Sequence, residues 1–316
     1  TVTDANLFLG RLDPEYFLGG AMELDPPAAE TALHSLASEL GVDDIPFAEG
    51  VLQVINASMA DAMRTITVKQ GIDPREYSLV AFGGAGPMHA AWLAAELEIN
   101  EIIIPWSPGT FSAWGMLQTD MRHDLVRTFF RALAESDAGD LLGIFQELEA
   151  EGAELLKDQR VGAEDIYFAR SADMRYVGQE YSVNVAIDAA IDLEQVAGAF
   201  HDGHRVRYGH STPDAPVELV NLRVAALGRI GRETIAFESP DAGGDPVLSH
   251  RPVIFDGKKH DTPALLRDRM QVGAVQTGPL VIEEQTATTV VPPGYTAAVD
   301  ELGSLVITRT DGRSDG

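Results

Sequence analysis

The sequence predicts an α/β protein: a lobe built on a glycine-turn unit, then an α+β domain, then a small C-terminal β domain. Three observations carry this. The stretch Ser78 to Ala90 reads as strand, glycine turn and helix start, and Ile102-Ile103-Ile104 supplies a following strand. Residues 131–235 mix long amphipathic segments with alternating ones, whereas 246–316 hold only short β runs punctuated by Pro and Gly. The expected boundaries are 1–130, 131–235 and 246–316, with 236–245 as a linker and Asp311 to Gly316 as a frayed tail.

The glycine unit organises the first lobe. Leu79, Val80, Ala81 and Phe82 form an apolar run of the kind buried on both faces of a parallel sheet. Gly83, Gly84 and Gly86 let the chain turn sharply and let a ligand approach the backbone, and Pro87 suits a first helical turn. The helix continues through Leu93 and Leu97. Such a loop points N–H groups at an anion with a helix dipole behind them, but it also serves as a plain tight turn. Neither GxGxxG nor GK[ST] is present, so it is not a Rossmann or Walker loop.

The other elements follow from spacing and caps. Asp25, Pro26, Pro27 and Gly41 bound a helix with Leu33, Leu36 and Leu40 as its expected face. A second helix, about 46–70, places Val51, Ile55, Met59 and Ile66 on one side and Gln53, Asn56, Asp61 and Arg64 on the other. After the loop Ser107-Pro108-Gly109-Thr110 comes a small-residue helix, Phe111 to Leu117. In the second domain a helix over about 139–158 has Leu141, Phe145, Leu148 and Leu155 as its stripe. Met174, Tyr176, Tyr181, Val183 and Val185 alternate around Gly178-Gln179, which predicts a bent strand or hairpin. A helix from Asp192 to Tyr208 and a strand from Val217 to Leu227 complete it.

Composition excludes several functions. The chain of 316 residues has no cysteine, which removes disulfides, thiolate metal sites and cysteine nucleophiles. Its net charge of −26 argues against nucleic acid and anionic membranes as partners, since both are met by basic patches. Lys69, Lys157, Lys258 and Lys259 are the only lysines; acid enrichment with so little lysine fits a halophilic host, or simply an acidic protein. No apolar run spans a membrane and no leader pattern is visible, so a cytoplasmic location is expected.

Several long motifs together resemble the hydantoinase A/oxoprolinase family, C-terminal half. They are Thr1-Val2-Thr3-Asp4-Ala5-Asn6-Leu7 with Gly10-Arg11-Leu12, then AFGGAGPMHA, Arg122-His123-Asp124, Met174-Arg175-Tyr176-Val177-Gly178-Gln179, and Val291-Pro292-Pro293-Gly294-Tyr295. The resemblance implies an actin–hexokinase-like (ribonuclease H-like) ATPase lobe, with ATP and Mg²⁺ as cofactors. It implies ATP-dependent opening of cyclic amides such as hydantoins and 5-oxoproline, or the ATP-handling role in a related ketone carboxylase. A hydantoinase B-type subunit or domain is an expected partner. So is an N-terminal half carrying the first phosphate-binding loops, which makes this chain a fragment or one piece of a split enzyme. A non-enzymatic docking or scaffold module is the remaining alternative.

Candidate residues follow. Gly83, Gly84 and Gly86 are, by the resemblance, the nucleotide-side loop. Asp4 and Asn6 read either as holding Mg²⁺ through water or as helix caps. His89, one turn into the helix, reads as a donor to phosphate or a developing oxyanion, or as a packed histidine. His123 and Asp124, adjacent on an expected strand, point to opposite faces and read as surface. In HDGHRVRYGH, His201 and His204 share a helix face and fit either a metal or the helix C-terminal dipole, with His210 beyond the helix.

Overall fold

The computed structural model describes residues 1–231 and 244–310. In chain order the elements are α1 (Val2–Phe8), α2 (Pro26–Leu40), α3 (Asp44–Ile66), β1 (Leu79–Val80), α4 (Gly86–Glu96), β2 (Glu101–Ile104) and α5 (Phe111–Leu117). Then follow β3 (Met121–Ala132), α6 (Ala138–Asp158), β4 (Ile166–Tyr176), β5 (Val183–Ile187), α7 (Leu193–Tyr208) and β6 (Val217–Gly228). The last stretch holds β7 (Val247–Phe255), β8 (Lys258–Leu266), β9 (Val275–Thr277), β10 (Leu280–Glu283), β11 (Thr288–Val291), β12 (Tyr295–Val299) and β13 (Leu305–Arg309).

Two compact units result: Thr1–Gly115 with Thr234–Gly316, and Met116–Glu233. The boundaries read from the sequence differ, because 246–316 does not stand alone. β13 pairs antiparallel with β2, Leu305 opposite Ile104 and Ile307 opposite Ile102. This closes a mixed sheet in the order β1-β2-β13-β12-β9. A second sheet of the same unit runs β11-β10-β8-β7. The expected linker falls largely outside the described residues, as does the tail from Asp311.

The first unit shows where local patterning holds and where it misleads. Asp25 caps α2 by accepting from the Ala28 N–H at 3.0 Å, and Gly41 ends it at φ 69°. The buried face of α2, however, is Ala29, Leu33 and Ala37, while Leu36 and Leu40 are exposed. α3 likewise buries Ala48, Leu52, Asn56 and Ala60 and exposes Ile66. Each stripe sets alanines around one leucine, Leu33 or Leu52, and these small residues let α1, α2 and α3 approach closely while Leu36 and Leu40 stay outside. The strand before the glycine turn is also shorter than expected, with Val80 and Phe82 exposed.

The second unit is an antiparallel sheet in the order β3-β6-β4-β5, with α6 and α7 as its helices. Its core joins Leu141, Phe145 and Leu148 of α6 to Phe200 of α7 and to Met174, Leu219 and Leu222 of the sheet. The α6 stripe continues through Gly152 to Leu156 rather than to Leu155. A Cβ at Gly152 would collide with the Ala226 side chain, so glycine there sets the helix–sheet distance. Asp192 caps α7, accepting from the Glu194 N–H at 2.9 Å.

Candidate functional site

Two stretches some two hundred residues apart in sequence, with walls added by the N-terminal segment, build a cavity of about 260 Å³ in the first unit. One is the glycine turn. Gly83 sits at φ 86°, a conformation that favours glycine, and its N–H donates to the Pro108 carbonyl at 2.7 Å. The N–H of Gly83 is therefore spent inside the protein. Gly84 and Ala85 line the cavity where α4 begins. No side chain caps α4, so the positive end of its dipole is left for a ligand.

The other stretch is the turn Glu284 to Ala287 between β10 and β11, closed by the Glu284 N–H donating to the Ala287 carbonyl at 3.0 Å. Thr286 is wedged against both glycine loops. A Cβ on Gly84 would come within 3.2 Å of the Thr286 carbonyl oxygen, and one on Gly109 would collide with the Thr286 side chain. Gly109 is thus a requirement of this close approach, and Gly84 keeps the contact with the Thr286 carbonyl relaxed. Leu12, Phe17, Leu18 and Met88 add apolar walls, and Thr3, Tyr16 and Thr288 add hydroxyls.

Glu284 is the charged group of the lining. Its carboxylate accepts from Arg267 Nη1 at 3.2 Å, and Arg267 also donates to the carbonyls of Ile104 at 3.1 Å and Gly303 at 2.8 Å. Burial pushes the Glu284 carboxyl up to about 7, against the opposing pull of Arg267. A neighbouring ion pair joins the partly buried Arg251 to the buried Glu283. Arg251 also donates to the Gly10 carbonyl at 2.9 Å and the Arg11 carbonyl at 3.3 Å, and Thr288 donates to Glu283 at 3.1 Å. An apolar, partly enclosed cavity with few polar groups and an uncapped helix start suits a flat heteroaromatic ring bearing an anionic tail.

The sequence candidates are distributed unevenly around it. Asp4 occupies a capping box with Thr1 at the start of α1, its N–H donating to Thr1 Oγ1 at 3.2 Å. Asn6 is buried, donating from Nδ2 to the Val2 carbonyl at 3.0 Å, and its Oδ1 has no partner. Thr3, on the same helix, lines the cavity; Asp4 and Asn6 do not. Gly86 opens α4, and a Cβ there would meet only ordinary contacts. His89 is buried and also lies outside the lining. Its Nδ1–H donates to Asn56 Oδ1 at 2.8 Å, and burial together with the nearby Arg11 holds its imidazole below the usual histidine range. Arg11 itself is lowered to about 10 by burial, lying over the Trp92 ring at 4.3 Å.

In the second unit, His123 bonds Gln159 at 3.1 Å and Asp124 pairs with Arg122 at 2.8 Å on the surface. His201 bonds the Tyr176 hydroxyl at 2.8 Å, and His204 bonds the His210 carbonyl at 2.7 Å. Among the described residues no three His, Asp or Glu side chains are grouped to hold a metal, and no helix is long and apolar enough to cross a membrane. Sequence reading missed Glu284, Thr286 and the Tyr16–Leu18 wall. The visible signal was Glu283-Glu284, two acids ending the buried run Leu280 to Ile282.

Comparison with known proteins follows this geometry. Residues 1–125 match the hydantoinase/oxoprolinase family model and 131–307 the model of the hydantoinase/oxoprolinase C-terminal domain. The chain is 33% identical to caprolactamase subunit alpha of Pseudomonas jessenii, covering 98% of the chain and 46% of that protein. It superposes on the crystal structure of ATP-dependent caprolactamase from Pseudomonas jessenii with a TM-score of 0.78 and 32% identity, over 98% of this chain and 46% of that one. It is 28% identical to 5-oxoprolinase of Saccharomyces cerevisiae, over 95% of the chain and 25% of that enzyme. It is also 28% identical to the acetophenone carboxylase gamma subunit of Aromatoleum aromaticum, over 98% of the chain and 45% of that subunit. The chain thus spans less than half the length of these relatives. The mixed α/β architecture is shared with the caprolactamase structure, and the chain belongs to the hydantoinase/oxoprolinase family.

Proposed function

We propose that this chain is the C-terminal portion of the A-type subunit of an ATP-dependent cyclic amidase, opening hydantoin, 5-oxoproline or related lactam rings. The carrying observation is the cavity in which the uncapped start of α4, with Gly84 and Ala85, meets Glu284 and Thr286. Its apolar walls take the base, Glu284 and Tyr16 offer polar atoms to the sugar, and the α4 dipole faces the phosphates. ATP would supply its γ-phosphoryl group to the amide oxygen, leaving ADP; water then attacks the activated carbon, the C–N bond breaks to free the amine, and a second water releases phosphate and the carboxylate.

Within this reading Gly83 sets the turn, Gly84 admits the ligand and Thr286, and Gly86 starts the helix whose dipole is used. Mg²⁺ enters with the nucleotide, held by its phosphates, with Asp4 and Asn6 shaping α1 rather than binding metal directly. His89 positions α4 through Asn56. A hydantoinase B-type subunit and the preceding half complete the enzyme, and the relative named as a subunit alpha supports a multi-chain assembly. The likeness to a carboxylase subunit favours a second reading, ATP-dependent activation for ketone carboxylation.

The test is ATP turnover by the full-length protein reconstituted with its partner. Stimulation by hydantoin or caprolactam, and none by acetophenone, is expected. Stimulation by acetophenone alone would give the carboxylase reading, and no stimulation by either would leave a docking module.

A further inference from the structure

The motif HDGHRVRYGH is not used by the nucleotide cavity. It builds a cavity of its own, about 180 Å³, lined by Gln179, Glu180, Tyr181, His204, Tyr208 and His210 in the second unit. We propose that this cavity binds the cis-amide edge of a neutral cyclic amide; the choice of substrate class rests on the amidase reading above.

The argument begins with His204, which is 1% exposed. Its Nδ1 lies 2.7 Å from the His210 carbonyl oxygen, an acceptor, so Nδ1 carries the proton and donates. Nε2 of the neutral ring is then a lone-pair acceptor. The Gln179 side chain presents its amide nitrogen to this Nε2 at 3.4 Å, and the reverse amide orientation would set oxygen against the lone pair. At that length the contact is weak, and the amide keeps a second N–H. The wall therefore offers a donor, the second N–H of Gln179, beside an acceptor, Nε2, whose weak contact with Gln179 the N–H of a ligand displaces.

A ring amide is held cis, so its N–H and C=O point to the same side. Its N–H reaches His204 Nε2 while its C=O accepts from Gln179. Open-chain trans amides place the two groups on opposite sides and satisfy only one. The ring carbons meet Tyr181 and Tyr208, the latter tilted against His204 with centroids 4.7 Å apart. Glu180 adds a carboxylate to the rim, which disfavours ring amides that are themselves anionic.

The frame is rigid. The Tyr176 hydroxyl accepts from the Thr212 N–H at 2.7 Å and donates to His201 Nδ1 at 2.8 Å, and its ring meets His204 edge-on at 4.8 Å. Gly209 at φ 79° ends α7 and turns His210 back over His204. The donor–acceptor pair is thus held in place without a ligand.

The probe is ε-caprolactam, followed by saturation-transfer NMR on the protein, with N-methylcaprolactam and 5-oxoproline beside it. Caprolactam is expected to bind, and N-methylation, which removes the N–H meant for His204, to weaken binding at least tenfold. 5-Oxoproline, carrying a carboxylate, is expected to bind more weakly than caprolactam. Because His204 is in the core, the protein variant is Gln179→Leu, expected to cost about tenfold with the fold intact. Equal binding of the N-methyl lactam, an unaffected Gln179→Leu variant, or no caprolactam signal would overturn the proposal. Mg-ATP titration of the same sample separates the two readings. Lactam binding without nucleotide binding would strike the amidase reading only, and the reverse would strike this site only.

Discussion

The Glu284 carboxylate accepts a hydrogen bond from Arg267 at 3.2 Å while standing in the wall of the cavity that Gly84 and Ala85 line. It is a buried acid held between protonation and pairing. Its folded pKa is about 7 against an ordinary 4.5. The folded protein therefore binds this proton more tightly than the unfolded chain does, and its stabilising share, full below the ordinary value, is lost as pH rises towards 7. Wild type is expected to lose roughly 2–3 kcal/mol relative to Glu284→Gln between about pH 4.5 and pH 7.5, measured by urea unfolding. His89, lowered by burial, acts in the opposite sense and cancels in the difference. A flat difference would show that Arg267 holds Glu284 ionised throughout.

Arg251→Met removes the cation from Glu283, which is 3% exposed, and also the donor to the Gly10 and Arg11 carbonyls. Leaving a buried carboxylate unpaired costs about 3–5 kcal/mol. The double variant Arg251→Met with Glu283→Gln is expected to recover part of that loss, read as a coupling in chemical unfolding.

Asn56→Leu strands the buried Nδ1–H of His89. The expected cost is about 1–3 kcal/mol, with a fall in melting temperature. If His89 only positions α4, His89→Gln is expected to retain reconstituted ATP turnover within a few-fold. Loss of turnover by orders of magnitude, with the fold intact, would instead make His89 a catalytic residue.

Gly10→Ala meets two obstacles, φ 77° and a Cβ colliding with the Pro252 carbonyl oxygen. At Gly41, φ 69°, a Cβ meets nothing within 4 Å. Gly41→Ala is expected to cost about 1–2 kcal/mol from the left-handed backbone alone. Gly10→Ala is expected to cost more than that by several kcal/mol, or to prevent folding. Thermal unfolding of the two variants side by side checks the ranking.

Features written in local chemistry were legible in the sequence. The Asp25 and Gly41 ends of α2, the Asp192 cap of α7 and the turn at Gly83 follow from residue type and position. Buried faces were less so. The α2 face Ala29, Leu33 and Ala37 ranks below one with Leu36 and Leu40 in any hydrophobicity count, yet helix contact favours the smaller side chains. Non-local pairing was not legible. The match of Leu305 with Ile104 depends on a register that no window of sequence contains, and it moved the C-terminal strands into the first unit. The same holds for the site: Gly84 announced itself, but Thr286 and Glu284 join it only through the β10–β11 turn.

The most direct test of the nucleotide cavity is calorimetric titration of Mg-ATP into wild type and Ala85→Phe. Ala85 is exposed and lines the cavity, so the larger ring takes up its space, whereas a side chain at Gly84 would press on the Thr286 carbonyl. Binding by wild type, weakened at least tenfold in Ala85→Phe, is the predicted result. Equal binding by both, or by neither, would contradict the assignment of this cavity to the nucleotide.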